Sequence, residues 1–156
     1  MLEMRQAVAA DAAAVHALTR EAYHKWVAVT GREPLPMRVD YVEALARNRF
    51  DLLEEGGLLV ALIETQRIET PGEPDHLLIV NVAVSPAHQK RGHGRRLLAH
   101  AEALALAAGY REIRLYTNSL MVENIALYRR LGYRIDREEG EAPRVQVHMS
   151  KPLVAS

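Results

Sequence analysis

The sequence predicts an α/β fold, with a mixed, largely antiparallel central sheet flanked by helices, formed as a single domain over residues 1–156. Three observations point there. Segments rich in β-branched and aliphatic residues alternate along the chain with segments at helical spacing. The strongest apolar run, Leu77 to Val84, passes through Ser85 and Pro86 into a long amphipathic stretch that stops at Gly109. The length suits one compact domain with a real core and is short for two ordinary ones.

Met4 to Ala7 reads as a short first strand, and Asp11 as the N-cap of a helix reaching about Trp26, with Ala14, Val15, Leu18, Ala22 and Val29 near helical spacing. Gly31, Pro34 and Pro36 make Thr30 to Met37 a loop. A second helix is expected over Val39 to Asn48. Phe50 to Leu53, a turn at Gly56 and Gly57, and Leu58 to Glu64 read as a hairpin, followed by a polar loop from Gln66 to Asp75. The strand Leu77 to Val84 comes next, then a helix from about Gly92 to Ala108 and a strand from Ile113 to Thr117. A helix from about Val122 to Leu131 ends at Gly132, a C′ glycine. Tyr133 to Arg137 and Arg144 to Met149 close the chain as an antiparallel pair around Gly140.

Composition narrows the function. Lys plus Arg and Asp plus Glu number 20 each, so no global field draws the protein to nucleic acid or membrane. With no cysteine, disulfides, thiolate nucleophiles and cysteine zinc sites are excluded. No His-x-x-x-His pair and no nucleophile-elbow serine occurs, so neither a metal site nor a hydrolase triad is expected. The N-terminus lacks a signal-peptide pattern and no apolar run approaches membrane length, which makes the cytoplasm the expected location.

The most informative stretch is Gln89, Lys90, Arg91, Gly92, His93, Gly94, Arg95 and Arg96, where a strand hands over to a helix. A helix N-terminus presents unpaired N–H groups and partial positive charge, a favourable seat for phosphate. Gly92 and Gly94 remove Cβ atoms from the approach, and the basic side chains add full charges. This block resembles the acetyl-CoA-binding segment of the GNAT superfamily of N-acetyltransferases, whose signature is Gln/Arg-x-x-Gly-x-Gly/Ala. Gln89, Gly92 and Gly94 meet every specified position. A second segment, Asn124, Ala126, Leu127, Tyr128, Leu131, Gly132 and Tyr133, resembles the stretch that follows the fifth strand in that family, and Arg5 to Leu18 looks like its opening strand and helix.

The resemblance implies a sheet splayed between its fourth and fifth strands, at Val82 to Val84 and Leu115 to Thr117, with the pantetheine arm of acetyl-CoA in the gap. Val82 and Val84 would pair with that arm through their backbones, Asn124 would bond it, and Gln89 through Arg95 would hold the pyrophosphate. Tyr128 would protonate the departing thiolate. The strand before the cradle, where many family members carry a glutamate, offers none: its alternation puts Leu78, Val80 and Val82 on one face and Ile79, Asn81 and Ala83 on the other. Asn81 can orient a water that takes the amine proton, with His76 or Glu64 to receive it.

On the acceptor side Tyr23, Trp26, Arg32, Glu33, Met37, Asp40 and Tyr41 crowd the region between the first two helices. They suit a small-molecule or peptide amine, one bearing a carboxylate that Arg32 would hold. The functional expectation is acetyl transfer from acetyl-CoA to that amine in a ternary complex, without metal or nucleic acid. The alternative is a non-catalytic acyl-CoA-binding or regulatory module. The acceptor's identity, the general base, the range of acyl groups and the oligomeric state, a homodimer included, are left open.

Overall fold

A computed structural model describes residues 1–154. Strands β1 (Leu2–Gln6), β2 (Arg49–Glu55), β3 (Leu58–Ile68), β4 (His76–Val84), β5 (Glu112–Asn118), β6 (Arg134–Glu139) and β7 (Gln146–Pro152) form one sheet in the order β1-β2-β3-β4-β5-β7-β6. Every pairing is antiparallel except β4 with β5. Helices α1 (Ala12–Thr30), α2 (Tyr41–Arg47), α3 (His93–Ala107) and α4 (Val122–Arg130) flank it.

Two apolar clusters hold the layers together. Val15, Leu18 and Ala22 of α1 and Tyr41 and Ala44 of α2 pack on Phe50, Leu52, Leu62 and Ala83. Leu97, Leu98, Ala101 and Ala105 of α3 pack on Ile63, Leu77, Ile79, Ile113 and Leu115, and Ile125, Tyr128 and Leu131 from the end of the chain's last helix join that cluster. Burying side chains of this size is worth roughly 1.5–3 kcal/mol each before entropy is charged against it.

Several element boundaries differ from expectation; two at helix ends have local causes and two at strand ends are set by pairing. α1 continues past Trp26 to Thr30 and stops at Gly31, whose φ of 81° the left-handed cap requires. α2 begins at Tyr41, because Asp40 caps it by accepting from the N–H groups of Val42 and Glu43. β3 runs on through Gln66, Arg67 and Ile68, which pair with Leu78, Leu77 and His76. β7 starts two residues later than expected and extends to Pro152, where it pairs with Glu112.

β4 positions the site. It pairs with β5 only from Leu77 to Ile79. Against β3, Glu64 faces Asn81 while Thr65 faces Ile79, so Val80 is an extra, bulged residue. A bulge bends its strand and resets which face each later side chain occupies. Ile79 therefore packs toward α3, whereas Asn81 and Ala83 turn toward α1 and α2. The strict alternation expected along this strand, with Ile79, Asn81 and Ala83 on one face, is corrected by that one residue.

Candidate active site

Beyond Ile79 the fourth and fifth strands part, and two cavities meet in the opening. The first, of about 400 Å³, lies under the α1–α2 loop and the β6–β7 loop. The second, of about 420 Å³, lies between α1, the end of β4, the start of α3 and α4. Tyr23, Val82, Asn124 and Tyr128 line both. A molecule in one cavity would touch a molecule in the other across these four residues.

The second cavity has the character of a phosphate and pantetheine seat. Val82, Val84, Gln89, Lys90, Gly92, His93, Gly94 and Arg95 line it, together with Asn124 of α4. The amide N–H groups of residues 89–95 make no backbone hydrogen bond; the first engaged amide is that of Arg96, which donates to the Gly92 carbonyl. Gly92 takes a φ of 84°, a left-handed conformation natural to glycine. A Cβ on Gly94 would meet nothing within 4 Å, so the space over this turn is open to a ligand. His93 Nε2 is buried without a partner beside it. The Gln89 side chain donates to the Val84 carbonyl at 3.2 Å and so ties the turn to the end of β4. These free donors, open volume and cations fit a coenzyme A diphosphate. Arg91 and Arg96 are exposed and lie outside the lining.

The wall of the first cavity is a buried polar cluster. Asn81, 3% exposed, accepts from the Tyr23 hydroxyl at 2.8 Å and donates through Nδ2 toward Thr19 Oγ1 and the Tyr41 hydroxyl, each at 3.4 Å. Tyr41 in turn donates to the Pro36 carbonyl at 2.6 Å. Asn81 thus spends most of its capacity on protein groups, leaving one lone pair of Oδ1 for a water. Glu64 stands opposite Asn81 in the sheet, lines the cavity, and accepts from Asn48 Nδ2 at 2.8 Å. Burial pushes its carboxyl above the ordinary range, more than the Asn48 hydrogen bond lowers it. His76 is bound to the Pro74 carbonyl at 2.9 Å and lines neither cavity, so of the two proton receivers considered only Glu64 faces the site.

Tyr128 is half-buried where the cavities meet, its ring tilted against Tyr133 at 5.8 Å between centroids. Desolvation pushes its phenol up to about 12, and the phenols of Tyr23 and Tyr41 are raised by burial as well. All three stay protonated at neutral pH.

The acceptor-side residues separate. Tyr23, Arg32 and Tyr41 line the first cavity. Trp26 is 7% exposed and lines the second, with Lys25 over its ring at 5.0 Å. Asp40 lines neither and works as the α2 cap, Glu33 is paired with Arg20 at 2.7 Å, and Met37 is core. Residues the sequence did not single out complete the cavity: Arg38, Met121, Glu139 and Arg144. Glu64 did carry a signal, an acid in the otherwise apolar run LLVALIET. Among the described residues, no three His, Asp or Glu side chains gather into a metal-holding group, and no helix is long and apolar enough to cross a membrane.

A family model for the acetyltransferase (GNAT) family matches residues 13–133, which is most of the chain. Solved structures with the same fold include the PaiA N-acetyltransferase of Thermoplasma acidophilum in complex with coenzyme A. It is 19% identical, with a TM-score of 0.83 over 97% of this chain and 99% of its own. The yncA protein of Salmonella typhimurium with its cofactor acetyl-CoA is 21% identical, with a TM-score of 0.74 over 100% of this chain and 96% of its own. A GNAT-family acetyltransferase of Streptococcus pneumoniae is 18% identical, with a TM-score of 0.75 over 99% and 100% of the two chains.

Proposed function

The chain belongs to the acetyltransferase (GNAT) family, and from that premise we propose that it passes an acetyl group directly from acetyl-CoA in the second cavity to an amine in the first. One observation carries the reading: Tyr23, Val82, Asn124 and Tyr128 line both cavities, so donor and acceptor would meet there without a covalent enzyme intermediate. Direct contact of this kind turns a bimolecular reaction into an effectively unimolecular one.

An ammonium acceptor must shed two protons on becoming an amide. Glu64 takes the first and passes it to solvent, and its raised affinity for protons brings it closer to the working pH than an exposed glutamate. The amine nitrogen then bonds the acetyl carbon as the carbon–sulfur bond breaks. Tyr128 gives its hydroxyl proton to the sulfur and is reset by the second proton leaving nitrogen. With its phenol at about 12, Tyr128 is a weak acid that acts late, by a hydrogen bond strengthening as charge builds on sulfur. Asn81 is a positioning residue: it holds Tyr23 and Tyr41 around the acceptor and leaves one lone pair for a water on the way to Glu64. Val82 and Val84 border the gap on β4, where an extended pantetheine arm can pair with their backbones, and Asn124 reaches it from α4.

A buried carboxyl at Glu64, on β3 beside the carboxylate-free β4, supports transfer over a purely acyl-CoA-binding module. Initial rates of thiol release with varied acetyl-CoA and amine test the proposal. Intersecting lines and an N-acetylated product by mass spectrometry are expected. Parallel lines or an acetylated protein intermediate would overturn direct transfer, and tight acetyl-CoA binding without turnover on any amine would return the binding module.

A further inference from the structure

The charges around the first cavity are asymmetric from rim to floor. Arg32 and Arg38 come from the α1–α2 loop and Arg144 from the β6–β7 loop. All three are exposed, and among the described residues none makes an ion pair or a side-chain hydrogen bond. Two acids share the lining. Glu139 is already engaged, accepting from Arg137 at 2.6 Å with His148 at 3.4 Å, and Glu64 is 3% exposed with its carboxyl held toward the neutral form. The rim therefore carries three guanidinium groups without an ion-pair partner among the described residues, while the buried Glu64 carboxyl, bonded to Asn48, lies at the bottom.

A free arginine at a cavity mouth repels cations and offers a planar donor fork that fits a carboxylate. Three of them, from loops that no short sequence segment joins, make a polyamine or a multiply charged aminoglycoside a poor occupant. We propose that the acceptor is a small amine that also carries a carboxylate, its nitrogen seated toward Glu64 and its carboxylate held at the rim by Arg32, Arg38 and Arg144. The inference rests on the transferase reading above and names the substrate class of that site. The cavity, at about 400 Å³, accommodates an amino acid with an apolar side chain, which Leu35, Val39 and Met121 would cover.

Matched pairs test this directly: apolar α-amino acids and longer ω-amino acids, each against its own carboxamide, with spermidine and a short blocked-C-terminus peptide as further acceptors. Removing the carboxylate charge makes the amine a weaker base and so more neutral at pH 7. Without carboxylate recognition the amide would therefore be the better acceptor. The expected result is the reverse, a kcat/KM at least about tenfold higher for the acid in at least one pair. R38Q and R144Q should each raise the acceptor KM and erase that preference, while acetyl-CoA affinity stays within about twofold. R144E should shift the preference toward the amide or spermidine. Turnover of the amide, spermidine or peptide at equal or greater efficiency by the unmodified protein overturns the inference and leaves the transferase intact. No turnover on any amine, with acetyl-CoA bound, overturns both.

Discussion

The Tyr23 hydroxyl donates to Asn81 Oδ1 at 2.8 Å, joining α1 to β4 one residue beyond the bulge where the sheet opens. That bond, with Thr19 and Tyr41 on the other end of the same amide, makes Asn81 the pin of the acceptor wall. Asn81→Ala leaves the buried hydroxyl oxygens of Thr19 and Tyr41 without their amide donor and the Tyr23 hydroxyl with only the Val82 carbonyl at 3.2 Å. It should cost about 2–3 kcal/mol in urea unfolding and raise the acceptor KM. An Asn81→Ala protein of unchanged stability would mean the wall does not depend on this residue.

Tyr128→Phe keeps the ring and its packing on Tyr133 while removing the proton. Turnover should fall by about a hundredfold, the scale of general acid catalysis, with acetyl-CoA affinity preserved in calorimetry. Full activity in this variant would take the acid role away from Tyr128.

Glu64 links activity to pH in one direction and stability in the other. Its folded carboxyl is raised by burial, so kcat/KM should fall as pH drops through that raised value. For stability the sign follows from linkage. Below the unfolded value of about 4.3 both states are protonated and burial carries no charge penalty. As pH rises from there through the folded value, the unfolded chain releases its proton first and stability is lost. Glu64→Gln can still accept from Asn48 and should be as stable as, or more stable than, the parent at pH 7. Its turnover should fall by about a hundredfold and its acidic limb should vanish. An unaltered pH–rate profile would exclude Glu64 as the base.

Gly94 separates backbone need from ligand need. Unlike Gly92, it has no positive φ, and a side chain there meets open space, so the fold tolerates substitution. Gly94→Val should therefore keep its melting temperature within a few degrees, yet lose acetyl-CoA affinity by at least about tenfold through the crowded phosphate seat. Equal affinity would place the diphosphate elsewhere.

Asp40 and Arg32, eight residues apart in the sequence, should respond differently. Asp40→Ala removes the α2 cap and costs about 1 kcal/mol with the acceptor KM unchanged. Arg32→Ala should leave stability alone and raise that KM. A higher KM in the Asp40 variant at unchanged stability would return it to the acceptor site.

The amino-acid sequence by itself determined the order of strands and helices, the turn from β4 into α3, and the register that sets Asn124 and Tyr128 one turn apart on α4. These rest on apolar periodicity and on contiguous motifs, physics that acts within a dozen residues. Tertiary structure alone decided the rest. Val80 is the extra residue where the β3–β4 register shifts, and nothing in the run LLIVNVAV marks it, so Asn81 read as sharing a face with Ile79. Glu64 gains its buried setting only once it pairs with Asn81 and receives Asn48. Tyr23 lines both cavities and Trp26, three residues on along the same helix, lines only the second, because α1 passes over the place where the cavities meet. Arg144 joins Arg38 across more than half the chain, a meeting set by strand order, because charge on an exposed loop has no periodicity that could foretell its partner.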